Sequence, residues 1–84
     1  MEKSTYTPEY RVFLQTLKDC RMAANLSQVK LAAMLKQSQS FVSKCERGET
    51  RVDIVQLRMF CRAFGITLPA FVAKYEARLT AKKR

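Results

Sequence analysis

Histidine is absent from this chain of 84 residues, and glycine and proline occur only twice each. Without histidine, the chain lacks a side chain that often serves as a general base or a metal ligand. Its three cysteines, Cys20, Cys45 and Cys61, include no CxxC pair, which argues against a zinc site and against a disulfide scaffold. We therefore expect small, buried, apolar thiols, no metal and no cofactor.

Long apolar runs are also missing. No segment approaches the ~20 apolar residues that are needed to span a bilayer. The opening segment MEKSTYTPEY lacks the apolar stretch of a signal peptide. These absences predict a cytoplasmic protein with no membrane partner.

Acidic residues are few compared with basic ones. Seven Asp and Glu stand against 16 Lys and Arg, which gives a formal net charge of +9 and a pI of about 10.0. A chain this basic is attracted to DNA, to RNA or to an acidic membrane face. Charge alone does not separate these partners from the plain solubility of a small basic protein, but we favour a nucleic acid.

Apolar residues at helical spacing predict an all-α fold with a single domain over residues 1–84. Hydrophobic residues make up 48% of the chain, which suffices for one small core but leaves little interior for a deep catalytic pocket. We expect residues 80–84 to form a disordered basic tail. Five helices are marked by residues that favour the N-cap position, namely Thr7, Ser27, Ser38, Asp53 and Thr67.

The second and third helices, joined only by Lys36 and Gln37, predict a helix-turn-helix within residues 21–65. In the third helix Val42 and Cys45 lie on the inward side, and the outward side is polar. The DNA major groove admits one α-helix, where glutamine favours adenine, lysine favours guanine and serine contacts a base or a phosphate. The candidate base contacts are therefore Gln39, Ser40, Ser43 and Lys44.

Phe41 has two interpretations. It could contact a thymine methyl group, or it could cover the junction between the second and third helices. We favour the second interpretation.

The helix-turn-helix segment contains short motifs in a characteristic order, namely Leu26-Ser27-Gln28, Leu31-Ala32, Gln39-Ser40-Phe41-Val42-Ser43-Lys44, Glu46-Arg47-Gly48 and Ala63-Phe64-Gly65-Ile66. In this order they resemble the Xre family, the phage repressor and Cro type of helix-turn-helix, over about residues 17–72. The resemblance implies a compact five-helix bundle of the lambda-repressor type. It also implies binding to double-stranded DNA as a dimer on a palindromic operator.

The resemblance implies roles for individual residues. Gln28 would hold a DNA phosphate, and Gln39 would be the leading base reader. Arg21, late in the first helix, would pair with Glu46 at the end of the recognition helix. Lys36 stands where the family has glycine, and a left-handed lysine there costs about 1 kcal/mol or more. The turn is therefore either strained or of another shape. The other candidate phosphate contacts are Lys30, Lys36, Arg47 and Arg51.

These features predict a transcriptional regulator, and we favour a repressor. The apolar side of the fifth helix, Val72, Tyr75 and Leu79, is the expected homodimer surface. An alternative is an antitoxin-like or adaptor protein that binds a protein partner as well as DNA. An RNA-binding domain is a further alternative, but no aromatic cluster for stacking on single strands is evident. An enzyme is least expected, because the sequence has no nucleophile–base set and no phosphate loop.

Overall fold

The computed structural model describes residues 7–82. Over that range the chain forms five α-helices and no strand, as the apolar spacing predicts. The helices are α1 Pro8–Ala23, α2 Gln28–Leu35, α3 Gln39–Arg47, α4 Ile54–Phe64 and α5 Leu68–Lys82.

Each helix begins at the side chain predicted to cap it. The hydroxyl or carboxylate oxygen of the cap accepts a hydrogen bond from a backbone N–H in the first turn, which would otherwise lack a partner. At α4, Asp53 and Gln56 form a complete capping box. The cap bonds run from Tyr10 to Thr7 at 3.1 Å, Lys30 to Ser27 at 3.0 Å, Phe41 to Ser38 at 3.1 Å, Gln56 to Asp53 at 2.8 Å and Ala70 to Thr67 at 3.1 Å.

Each of the helices α1 to α4 is followed by one residue with a left-handed backbone conformation. Gly48 and Gly65 adopt this conformation without steric cost, and Asn25 tolerates it at a φ of 61°. Lys36 adopts it at a φ of 58° and a ψ of 41°. The turn between α2 and α3 therefore keeps the geometry that normally calls for glycine, and the lysine Cβ strains it.

The core lies among all five helices. Leu17, Leu31, Val42, Phe60 and Phe71 come from all five helices and are almost fully buried. The three cysteines are buried there as well, and burial raises the pKa of both Cys45 and Cys61 to about 11. The thiols therefore stay protonated near neutral pH and pack as small apolar groups.

The end of α5 corrects one expectation. Residues 80–82, which we expected in a disordered tail, are helical, and residues 83–84 lie outside the described range. Shortly before them, Arg78 donates to the Thr16 hydroxyl at 3.2 Å and pairs with Asp19 at 2.9 Å. These contacts tie the last turns of α5 to α1.

No single helix within residues 7–82 is long and apolar enough to cross a membrane. Only α4 and α5 taken together have the length and apolar composition of a membrane span, and the chain bends by 101° between them. The same range contains no cluster of three or more side chains that could hold a metal ion.

Replacing Lys36 by glycine should raise the free energy of unfolding by about 0.5–1 kcal/mol. The gain is the left-handed penalty of about 1–2 kcal/mol, reduced by the greater freedom of glycine in the unfolded chain. Urea unfolding of Lys36→Gly measures it. Lys36→Ala is the matched control, because it removes the charge but keeps the Cβ. An equal change in both variants would show that the backbone at this turn is unstrained.

Candidate nucleic-acid interface

The recognition helix α3 is amphipathic. Val42 and Cys45 are fully buried against the rest of the fold, while Gln39, Ser40 and Lys44 are exposed. The turn that leads into it is held by a hydrogen bond from the Gln37 N–H to the Ala32 carbonyl at 2.9 Å. The exposed side therefore carries three of the four predicted base contacts, and the fourth, Ser43, is half-buried.

A buried ion pair fixes α3 against α1. Arg21 Nε donates to Glu46 Oε2 at 2.6 Å, and Arg21 Nη2 donates to Glu46 Oε1 at 3.2 Å. Only 10% of the Arg21 side chain and 5% of the Glu46 side chain are exposed. Arg21 Nη1 also donates to the Leu26 carbonyl at 2.7 Å, which connects the pair to the entry of α2.

Gln28 extends this ion pair to the surface. Its Nε2 donates to Glu46 Oε1 at 3.0 Å, and its Oε1 accepts from Gln39 Nε2 at 2.9 Å. A carboxylate only accepts hydrogen bonds, so Glu46 requires the NH₂ group of Gln28 to face it. The carbonyl of Gln28 then requires the NH₂ group of Gln39. The charge on Glu46 thus sets the orientation of two amides in succession.

Gln39 uses one of its two amide hydrogens in this contact. Its carbonyl oxygen and its second N–H are the groups that remain for another partner. One acceptor beside one donor is the pattern that pairs with the major-groove edge of adenine. The orientation that Gln28 imposes is therefore compatible with that base.

Two of the predicted DNA contacts interact with each other at the end of α3. Arg47 donates to the Ser43 hydroxyl and forms an ion pair with Glu49 at 2.9 Å. The side chains of Arg47 and Glu49 are about half exposed, so water screens their attraction. Lys30 and Lys36, two further predicted phosphate contacts, are exposed.

Arg51 lies in the loop between α3 and α4, with its guanidinium over an aromatic ring. Its guanidinium carbon is 5.0 Å from the ring centroid of Tyr10, and the Tyr10 hydroxyl accepts the N–H of Val52 at 3.3 Å. Sequence reasoning identified Arg51 but missed Tyr10. No local pattern could reveal this contact, because it joins the first turn of α1 to a distant loop.

Comparison with known proteins identifies the family. A family model described as helix-turn-helix matches residues 17–71, most of the chain. A solved structure, an XRE-family like protein from Pseudomonas syringae pv. tomato str. DC3000, shares 41% sequence identity over 84% of this chain and 87% of that chain, with a TM-score of 0.78. The chain belongs to the Xre family of helix-turn-helix regulators. No curated protein matches it.

Membership confirms the resemblance in the motifs and makes the chain a DNA-binding transcriptional regulator. The double helix is the ligand of this family. The exposed face of α3 is therefore the candidate DNA interface.

Phe41 of this Xre-family chain packs against α4. Its half-buried ring lies 6.4 Å from that of Phe60, measured between centroids, with the planes tilted by 54°. Phe41 also lines one small cavity with Leu35, at the end of α2, and Gln37, in the turn, so it lies at the junction between α2 and α3 as expected. The sequence could not reveal the contact with Phe60, because the two residues lie far apart in the chain and meet only in the folded structure.

The apolar side of α5 is divided between the core and the surface. The Tyr75 ring meets Phe13 edge to face at 6.1 Å, and its hydroxyl donates to the Glu9 carbonyl at 3.1 Å. Leu79 is half-buried, while Val72 is 40% exposed. Tyr75 therefore closes the monomer, and Val72 is the most exposed of the three expected dimer residues.

Glu46→Ala should lower the free energy of unfolding by about 3–5 kcal/mol, because it leaves the Arg21 guanidinium buried without its counter-charge. Asp19→Ala is the matched control. It removes the partner of Arg78 from a pair whose side chains are 40% and 41% exposed, and should lower the free energy by about 1 kcal/mol or less. Urea unfolding of both variants measures the difference, and equal losses would show that burial gives the Arg21 pair no special weight.

Proposed function

We propose that this chain is a repressor that binds a near-palindromic operator as a homodimer, with Gln39 as its main base reader. The hydrogen-bond chain from Glu46 through Gln28 to Gln39 is the observation that supports this most. It orients the amide at the start of the recognition helix before DNA is bound. Repression is favoured because a bound dimer needs only to occupy a promoter to block transcription.

The base contacts divide by chemistry. Gln39 would read adenine with two hydrogen bonds, and Lys44 would favour a guanine edge. Ser40 and Ser43 would contact bases or phosphates, depending on the DNA sequence. Ser43 would first have to give up its hydrogen bond from Arg47. This assignment places the strongest sequence preference at Gln39.

The phosphate contacts would come from both ends of the helix-turn-helix. Gln28 has a second amide hydrogen at the start of α2, where the positive end of the helix dipole also favours an anion. Arg47 would exchange its exposed ion pair with Glu49 for a phosphate oxygen. Lys30, Lys36 and Arg51 would add charge along the same backbone.

Homodimerisation follows from the limited reach of one recognition helix. One α3 reads too few base pairs to single out a site among a genome's competitors. Two copies related by a two-fold axis would read half-sites whose centres lie about 10 base pairs apart. The operator should then be a near-palindrome.

The dimer surface has two candidates. Val72 is the most exposed residue on the apolar side of α5, which the sequence predicts as the dimer surface. Ile54 and Val55, in the first turn of α4, are 62% and 66% exposed and follow directly after the loop beyond the recognition helix. Because Tyr75 serves the monomer core, we favour the start of α4 as the larger contributor. The same use of Tyr75 weakens the alternative of a protein partner docked on α5.

Selection from random duplexes, followed by footprinting, tests the proposed function. We expect a selected site with two-fold symmetry, half-sites one helical turn apart and an adenine at one conserved position of each half. Failure to enrich any duplex, or tighter binding to single-stranded RNA in a parallel selection, would contradict it. A reporter gene placed behind the selected site should lose expression when the chain is produced, and a rise in expression would contradict repression.

Gln39→Ala should lower affinity for the selected duplex by about 1–3 kcal/mol and relax the preference at one base pair of each half-site. Titration against selected and scrambled duplexes measures both effects. Gln15→Ala, which changes an exposed glutamine on α1, is the control and should bind like the unmodified chain. Equal losses for Gln39→Ala on both duplexes would show that Gln39 does not read bases.

Val55→Glu should prevent dimer formation, whereas Val72→Glu should weaken it less. A glutamate in the first turn of α4 suits the helix dipole, so the first variant should still fold. Sedimentation of each variant, free and with the selected duplex, measures its assembly. One chain per duplex at saturation for the unmodified protein would rule out the dimer, and a larger effect of Val72→Glu would move the surface to α5.

A further inference from the structure

Tyr10 lies in the first turn of α1, outside the residues 17–71 that match the family model. Its backbone N–H donates to the Thr7 hydroxyl at 3.1 Å, which fixes it at the helix start. Its ring packs against Phe13, with centroids 5.2 Å apart, and is partly buried beside the core. The side chain of Tyr10 is therefore held from the helix end and from the core.

Tyr10 holds the loop after the recognition helix at two successive residues. Its hydroxyl accepts the Val52 N–H at 3.3 Å, and its ring lies under the Arg51 guanidinium, 5.0 Å from the guanidinium carbon to the ring centroid. The ring quadrupole attracts a cation over its face. One side chain thus restrains both the loop backbone and the loop's cation.

The guanidinium of Arg51 is suited to binding an anion. A cation–π contact does not consume the N–H donors of the guanidinium, so they remain to meet a phosphate. Arg51 is exposed, and none of the ion pairs found among residues 7–82 includes it. The charge is therefore held in place without being neutralised by a carboxylate of that range.

We propose that Tyr10 is a positioning residue for DNA binding, which orders Arg51 for a backbone phosphate before the duplex arrives. The inference rests on the proposed phosphate contact of Arg51. Ordering a flexible side chain in advance removes part of the entropic cost of binding, which corresponds to about two- to tenfold in affinity. Phosphates carry no base sequence, so the effect applies to every duplex.

A double-mutant cycle on a mixed-sequence duplex, measured over a series of salt concentrations, tests the proposal. Arg51→Ala should weaken binding and make the slope of log affinity against log salt shallower by about one. Tyr10→Leu should lower affinity by about two- to tenfold when Arg51 is present, and should have no effect in the Arg51→Ala background.

Two further variants separate positioning from general packing. Tyr10→Phe keeps the ring but loses the bond to Val52, so it should cause a smaller loss that again vanishes without Arg51. It also serves if Tyr10→Leu does not fold. Tyr75→Leu is the matched control, because Tyr75 likewise packs on Phe13 and bonds a backbone group, but its hydrogen bond goes to Glu9 on α1 and not to the loop that carries Arg51. Any effect of Tyr75→Leu should be the same with and without Arg51.

The outcomes distinguish this inference from the proposed function. If Arg51→Ala changes the salt slope but the losses from Arg51→Ala and Tyr10→Leu simply add, Tyr10 does not position Arg51, and the proposed function stands. If Arg51→Ala changes neither affinity nor slope, the phosphate contact and the inference are both wrong. Absence of duplex binding by the unmodified chain would overturn the proposed function and the inference with it.

Discussion

The Arg21–Glu46 ion pair is the interaction on which the DNA-facing side of this fold depends. Removing two charges from water costs several kcal/mol per ion, and such a pair stabilises a protein only when its geometry and remaining hydrogen bonds are good. Here Arg21 meets both carboxylate oxygens and the Leu26 carbonyl, and Glu46 also accepts from Gln28. The pair holds the end of α3 against α1 and the entry of α2 in one arrangement.

The same pair determines what the protein presents to solvent. An isolated glutamine can exchange its oxygen and nitrogen by rotating its amide, and it then offers a base no fixed pattern. The fixed acceptor at Glu46 removes that freedom from Gln28, and Gln28 removes it from Gln39. A buried charge thereby gives direction to a neutral side chain at the surface, which is the kind of organisation that base recognition requires.

Local features of this fold could be predicted from the sequence, and contacts between distant segments could not. Caps such as Ser27 and Ser38 are visible because each acts on a backbone N–H three residues away. The left-handed turn at Lys36 could be expected only as one of two possibilities, since lysine itself does not favour it. Contacts such as Tyr10 with Arg51 depend on how the helices pack, which no spacing records.

The same distinction between local features and distant contacts applies to the candidate site. Its polar residues on α3 follow from helical spacing, and the Arg21–Glu46 pair followed only from the family resemblance. The bond between Gln28 and Gln39 was missed, because it depends on side-chain directions at the meeting of two helices. The family resemblance predicted a phosphate contact for Gln28, but it did not predict that the amide of Gln28 links Glu46 to Gln39.

A crystal structure of the chain bound to its selected duplex tests most directly whether Glu46 orients the Gln39 amide through Gln28. We expect α3 in the major groove, with the oxygen and nitrogen of the Gln39 amide on one adenine edge, and with Gln28 still donating to Glu46. A Gln39 amide turned away from the bases, or a Gln28 that has left Glu46 in the complex, would contradict the claim that the buried ion pair orients the base reader.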